Sequence, residues 1–209
     1  ENDTEDHSAL YNVVYCFDFL DQNEDAINFL NGFIDRNPYS EVAWHQLGRQ
    51  YYTVKNYEQA VRAFDYATLI DDSFLGAYLE KAKALEKLKK YQEAIDCYNI
   101  TMELDDPTSF ALLRIGKCHE RLGNTDIALQ FYLKTVHEDP LLDKAWIAIT
   151  DFYIRQRNFQ KALGVIAGGN DLKVPTQETF LVQREQRGFV RLECVERVDH
   201  RVTLSAVGH

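Results

Sequence analysis

Arg49, Lys83 and Lys117 stand 34 residues apart, and Arg114 precedes Lys117 by three. Guanidinium and ammonium groups recurring at one interval are chemistry for anions. An arginine grips a carboxylate through two parallel hydrogen bonds, and a lysine adds a point charge. The other reactive side chains do not assemble into a catalytic set. No Ser/His/Asp or Cys/His combination can be built, there is no phosphate loop, and calcium-loop spacing is missing. The four cysteines, Cys16, Cys97, Cys118 and Cys194, form no C-x-x-C pair and no Cys/His group with zinc spacing. Cys16 and Cys118 fall in apolar helical patterns, where a thiol serves as a small core residue. The cysteines therefore read as reduced and structural in a cytosolic protein. The expected chemistry is binding, with no enzymatic activity, no cofactor and no metal.

The bulk composition agrees with a folded binding module. Hydrophobic residues make up 45% of the 209 and charged residues 27%, the balance of a globular chain rather than a disordered one. A net charge of −10 disfavours phosphate backbones, so nucleic acid is not an expected partner. No apolar run approaches the roughly 18 residues a membrane span needs, and no basic start followed by an apolar stretch suggests a signal peptide. A cytoplasmic protein with no membrane partner is expected. The first residue is Glu1 rather than Met, which points to a longer parent or a trimmed N-terminus.

The 34-residue interval is not confined to the cations. Ala26, Ala60, Ala94, Ala128 and Ala162 lie on the same grid, as do Leu30, Phe64, Tyr98, Tyr132 and Ile166 four residues later. Leu10, Trp44, Tyr78, Leu112 and Trp146 form a third column upstream. Periods of this length indicate stacked repeats. Within the second copy Trp44, Leu47, Gly48 and Tyr51 have the spacing of one helix face, and Ala60, Phe64 and Ala67 mark a second helix after a break at Lys55-Asn56-Tyr57. Small residues at Gly48, Ala82 and Gly116 let helix backbones approach closely. Pro38, Pro107 and Pro140 punctuate the unit ends, and Ser40 and Asp106 are expected N-caps.

The large/Leu/Gly/Tyr…Ala/Phe/Ala…Pro order resembles the tetratricopeptide repeat (TPR) family over roughly residues 7 to 170. The resemblance implies an all-α fold, an α-solenoid of about five helix-turn-helix repeats with a right-handed superhelix. The units run about 7–40, 41–74, 75–108, 109–142 and 143–170, with a tail over 171–209. Departures gather at the ends, where Val14 and Thr150 replace the small residue and Phe33 replaces a small one in a second helix. Lys81 replaces an apolar residue in the middle unit. His119 stands where the residue facing the helix partner is usually apolar or Tyr, so it is expected to be a packed histidine.

The family geometry places the first helix of each pair on a concave wall. It implies a groove lined by Tyr11, Tyr15, His45, Arg49, Tyr52, Lys83, Phe110, Arg114 and Lys117. Inward positions also fall on Asn12, Phe19, Gln46, Glu80, Glu86, Leu113, Glu120 and Ile154. Stacking would align Arg49, Lys83 and Lys117 as a cationic row beside aromatic surface, suited to a peptide with acidic side chains or a free carboxylate. Glu80, Glu86 and Glu120 are placed to neutralise that row. The carboxylate clamp some members use is not matched. Arg114 fits it, but His45, Arg49, Glu80 and Phe110 stand where Lys or Asn is expected.

After about Gly169 the grid fails. Gly168 to Asp171 is a turn signal, and Phe189 to Val195 and Arg201 to Val207 have strand-like content. A hairpin, a helical cap, a loosely ordered tail and an unrelated joined sequence all fit 171–209. For function, a non-enzymatic scaffold binding a peptide or partner segment in its groove is the leading expectation. The alternatives are self-assembly through the end units, with Phe33 and Ile166 at the contacts, and the recruiting part of a larger enzyme.

Overall fold

Helix after helix follows from the 34-residue grid, because each copy carries two apolar stripes of helical period separated by a turn. The computed structural model describes residues 3–106 and 108–167. Among these residues there are ten helices and no strands. The helices are α1 (Asp3–Phe19), α2 (Asn23–Ile34), α3 (Glu41–Thr53), α4 (Tyr57–Ile70), α5 (Leu75–Lys87), α6 (Tyr91–Leu104), α7 (Ser109–Arg121), α8 (Thr125–Glu138), α9 (Asp143–Arg155) and α10 (Phe159–Ala167). They fall into two compact units, α1–α6 and α7–α10. Both are all-α repeat structures of the α-solenoid class, in which each helix packs on the next. The tail expected over 171–209 lies outside the described residues, as does the side chain of Ile166.

Inside the second and fourth pairs an aromatic ring of the second helix lies on a glycine of the first. A Cβ added to Gly48 would stand 2.5 Å from the Phe64 ring, and one added to Gly116 would stand 2.6 Å from Tyr132. Phe64, Tyr98 and Tyr132 are fully buried, together with Ala60, Ala94 and Ala128 one turn earlier. Burying such a ring contributes about 3 kcal/mol. The first and fifth copies solve the position differently. Val14 is buried in the core with Leu10 and Leu30, and buried Thr150 returns its hydroxyl to Trp146 O at 2.9 Å.

The turn within each pair is written in the backbone. Asp21, Lys55, Lys89, Gly123 and Arg157 all have positive φ, between 55° and 83°, and recur every 34 residues. Each follows a helix end closed by the same two bonds. In the second copy Lys55 N donates to Tyr52 O at 3.0 Å and Asn56 N to Tyr51 O at 2.8 Å; the pattern repeats at Gln22, Lys90, Asn124 and Asn158. This six-to-one and five-to-two pairing satisfies carbonyls that a helix end would otherwise leave open. Only Gly123 is glycine, so the other four residues carry a Cβ in a region that disfavours it.

The unit ends are also periodic. Trp44 Nε1 donates to Pro38 O at 2.9 Å, and Trp146 Nε1 donates to Pro140 O at the same distance. Ser40 caps α3 by accepting from Ala43 N at 3.2 Å. The cap of α7 is Thr108, which accepts from Ala111 N at 3.2 Å, and not Asp106, which ends two residues too early. Lys81 is explained by a neighbour from the preceding pair: its Nζ meets Asp65 Oδ1 at 2.6 Å. Burial, the largest single influence, would lower its pKa, but the Asp65 hydrogen bond together with the charge of Asp65 and the neighbouring Cys97 and Tyr78 holds it raised. Cys97 and Cys118 are buried free thiols, and burial pushes the Cys97 thiol up to about 11. Cys16 is exposed, so its expected core role is corrected; the buried stripe of α1 passes through Leu10 and Val14 instead.

Two glycine substitutions separate close approach from helix propensity. Gly48→Val is expected to destabilise the protein by about 2–3 kcal/mol through overpacking against Phe64. Gly32→Ala in α2, where nothing lies within 4 Å of the added carbon, is expected to stabilise it by about 0.5–1 kcal/mol. Chemical denaturation followed by circular dichroism reads both. At the turn, Lys89→Gly is expected to raise stability by up to about 1 kcal/mol by relieving the left-handed conformation.

Candidate functional site

In the first unit α3 touches both α1 and α5, so the first helices of successive pairs run side by side. Three of the expected groove residues, His45, Arg49 and Lys83, meet around one carboxylate, Glu80 of α5. His45 Nε2 lies 3.2 Å from Glu80 Oε2, and Arg49 Nε lies 3.8 Å from the same oxygen. Neither His45 nitrogen makes an aligned hydrogen bond, so the 3.2 Å approach is a polar contact off the ideal line. Burial alone would raise the Glu80 pKa. His45, Arg49 and Lys83 together overcome that and hold the carboxyl below the usual value.

His45 is the residue whose setting differs from expectation. It was placed open on the groove, but it is 8% exposed. Its ring packs against Phe64 and Phe74, with centroids 5.7 and 4.8 Å away. The apolar step before Gly76 brings Phe74 over the ring, a contact outside the regular repeat columns and so invisible to them. Arg49 is the accessible cation of the group, with 46% of its side chain exposed. It is steadied by donating Nη1 to Gln46 Oε1 at 3.2 Å.

The polar rail continues toward α1. Gln50 Nε2 donates to Asp18 Oδ1 at 2.7 Å. Gln46 and Gln50 are both buried, with Gln46 Nε2 and Gln50 Oε1 lacking partners. Gln46 was expected on the open wall and is corrected to a buried position. Tyr52 is half-buried, edge-on to Tyr57 at 5.3 Å. Tyr11 and Tyr15 on α1 are exposed.

In the second unit Phe110, Arg114 and Lys117 follow one another along α7 at four- and three-residue steps, so they share a face. Phe110 is exposed, and Arg114 and Lys117 are half-buried. Leu113 and Ile154, expected on the open wall, belong instead to the core around Trp146 and Tyr153. Glu120 accepts the Tyr132 hydroxyl at 2.7 Å and pairs with Arg155. Burial, the Glu120 hydrogen bond and its charge raise the Tyr132 hydroxyl. Glu86 accepts the Tyr98 hydroxyl at 2.7 Å, the same contact one repeat earlier. Of the acids expected to face the cations, Glu80 does so at Arg49 and Lys83, while Glu86 and Glu120 also receive the hydroxyls of the paired helices. His119 is half-buried and stacks on Phe131 of the partner helix at 5.6 Å, where desolvation lowers its pKa.

This arrangement can hold charged and aromatic side chains of another chain. Among the described residues, no group of three His, Cys, Asp or Glu side chains could hold a metal ion. No helix among them is long and apolar enough to cross a membrane.

Comparison with known proteins bears on the repeat and the fold. Two tetratricopeptide repeat family models match, one over residues 75–104 and one over 110–141. No curated protein matches significantly. Among solved structures, the crystal structure of MamA protein is similar with a TM-score of 0.71 at 17% identity, covering 88% of this chain and 94% of that one. MamA 41-end from Desulfovibrio magneticus RS-1 gives 0.71 at 16% identity, covering 88% and 97%. YrrB, titled a TPR protein with an unusual peptide-binding site, gives 0.65 at 20% identity, covering 84% and 90%. At these identities the likeness is one of fold.

The Glu80 cluster makes stability depend on pH on the acid side. A carboxyl held below its unfolded pKa of about 4.3 stabilises the fold above that value and stops doing so as pH falls through the folded pKa. The melting temperature is expected to fall from about pH 5 toward pH 3. Glu80→Gln is expected to flatten that slope in thermal melts followed by circular dichroism.

Proposed function

This chain is a tetratricopeptide repeat protein, and from that premise we propose that it is a non-catalytic, cytoplasmic scaffold whose first helices hold an acidic peptide or a free carboxylate. The repeats make it a protein-interaction module; the ligand chemistry is our reading. In the first unit Arg49 is the anchor, with Lys83 adding charge and Tyr11, Tyr15 and Tyr52 supplying contact area at low entropic cost. In the second unit Phe110, Arg114 and Lys117 offer the same pairing of ring and cation along α7. His45 acts from beneath the surface by fixing Glu80.

The observation that carries this reading is the looseness of the Arg49–Glu80 pair. At 3.8 Å, with Arg49 half exposed, the guanidinium keeps donors that Glu80 does not saturate. It remains available to a second carboxylate at small desolvation cost. The peptide-binding site named for YrrB supports a peptide as the ligand class.

The test is the double variant Arg49→Glu/Lys83→Glu, titrated with a fluorescently labelled acidic peptide. Loss of binding with unchanged helicity by circular dichroism is the expected result. Affinity equal to that of the unaltered protein would reduce the cations to a solvated face and end the reading.

A further inference from the structure

Most surface helices bury one stripe, but α1 has two apolar faces. Leu10 and Val14 pack into the core, and Phe17 meets Phe29 at 5.9 Å. Tyr11, Tyr15 and Phe19 recur every four residues on a different face. Tyr15 is 69% exposed, Phe19 79% and the adjoining Leu20 61%. Large side chains open to water on successive turns form a continuous patch, and such patches mark interaction sites.

Charge selects the occupant. The first 35 residues contain nine acidic side chains and no lysine or arginine; Arg36 is the first. Exposed Asp18 stands one residue before Phe19 and accepts from Gln50 of α3 through Oδ1, and Asp21, Glu24 and Asp25, all exposed, follow the C-terminal end of α1. Exposed ring faces bordered by carboxylates attract cations carried on apolar stems, through cation–π contact and ion pairing together. An anionic lipid surface carries charge of the same sign as this border and would be repelled. A second copy of this chain would set the same acidic border against itself.

We propose that the Tyr11–Tyr15–Phe19 stripe docks an amphipathic helix of a partner protein whose apolar face is flanked by lysine or arginine. The inference rests on reading the first unit as a peptide-binding wall, and it adds the chemistry of the segment that α1 takes. The wall changes sign along its width, acidic and aromatic on α1 and cationic at Arg49 and Lys83. A segment with basic and apolar residues at one end and acidic residues at the other therefore has one favoured orientation.

The test uses the full 209-residue chain and two labelled synthetic helices of about 18 residues, or five turns. One is Leu/Lys and the other Leu/Glu, with the same apolar face. In fluorescence anisotropy the Leu/Lys helix is expected to bind the unaltered protein, and to bind Tyr15→Ser/Phe19→Ser roughly tenfold more weakly or worse, as loss of aromatic anchors does. The Leu/Lys helix is expected to bind Arg49→Glu/Lys83→Glu at least as tightly, because the reversal adds negative charge to the same wall. Both serine positions are exposed, so circular dichroism should be unchanged. Equal binding of the Leu/Lys helix to the unaltered and serine proteins would mean generic charge attraction and overturn the proposal. So would absence of binding, while the acidic-peptide titration would still report on Arg49 and Lys83 independently. A concentration-dependent dimer in sedimentation, removed by the serine pair, would identify a second copy as the occupant and overturn it as well.

Discussion

Phe64 sits on Gly48, and Tyr132 on Gly116, with no room for a single added carbon. That contact sets how closely the two helices of a pair approach, and the approach decides what else the pair can do. With the ring filling the space between the backbones, the Tyr98 and Tyr132 hydroxyls reach Glu86 and Glu120 on the first helix, each at 2.7 Å. The same ring layer leaves the remaining faces of α3, α5 and α7 to residues outside that contact. Arg49, Lys83, Arg114 and Lys117 occupy those faces. The cations are thus presented as a consequence of the packing rule, at positions the rule does not need.

The turn is the second constraint, and it is enforced by hydrogen bonds rather than by residue type. Five helix ends close with the same pair of backbone bonds, yet only Gly123 is the residue that conformation prefers. A left-handed non-glycine residue is disfavoured by about 1–2 kcal/mol. Satisfying two otherwise orphaned carbonyls and directing the next helix back onto the first offsets that cost. This is why the break was legible at Lys55-Asn56-Tyr57 while its geometry was not: lysine and aspartate do not advertise a positive φ.

What the sequence made readable was whatever repeats. The columns at Ala60, Phe64 and Trp44 located the helices and the small-residue contact, because a position held by like neighbours in copy after copy leaves a period; the tryptophan bonds to Pro38 and Pro140 occur in two copies only and left none. Misreadings fell where a contact crosses the period. Lys81 looked like an intrusion until Asp65 of the preceding pair met it. His45 was placed in the open because no column predicts Phe74 over its ring. Cys16 matched an apolar pattern, but α1 has two apolar faces and the pattern does not say which one is buried. Asp106 and Thr108 are both plausible caps by type, and only the start of α7 decides between them.

Lys81 and Arg49 show how two cations on neighbouring helices acquire different tasks in one acidic chain. Lys81 is mostly covered, its Nζ lies 2.6 Å from Asp65, and that bond together with the surrounding charge overcomes the burial that would otherwise favour the neutral amine. Its charge is committed to joining one pair to the next, since a partly buried ammonium left without its carboxylate would be costly. Arg49 faces water, and its own carboxylate is shared with His45 and Lys83 and stands 3.8 Å away. Several basic side chains gathered on one acid pull the Glu80 pKa down, and of them Arg49 is the one whose side chain stays half exposed. Net charge therefore says little about what such a wall attracts. The local ratio of cations to acids, and how deeply each is covered, decides which charges hold the fold together and which face a partner.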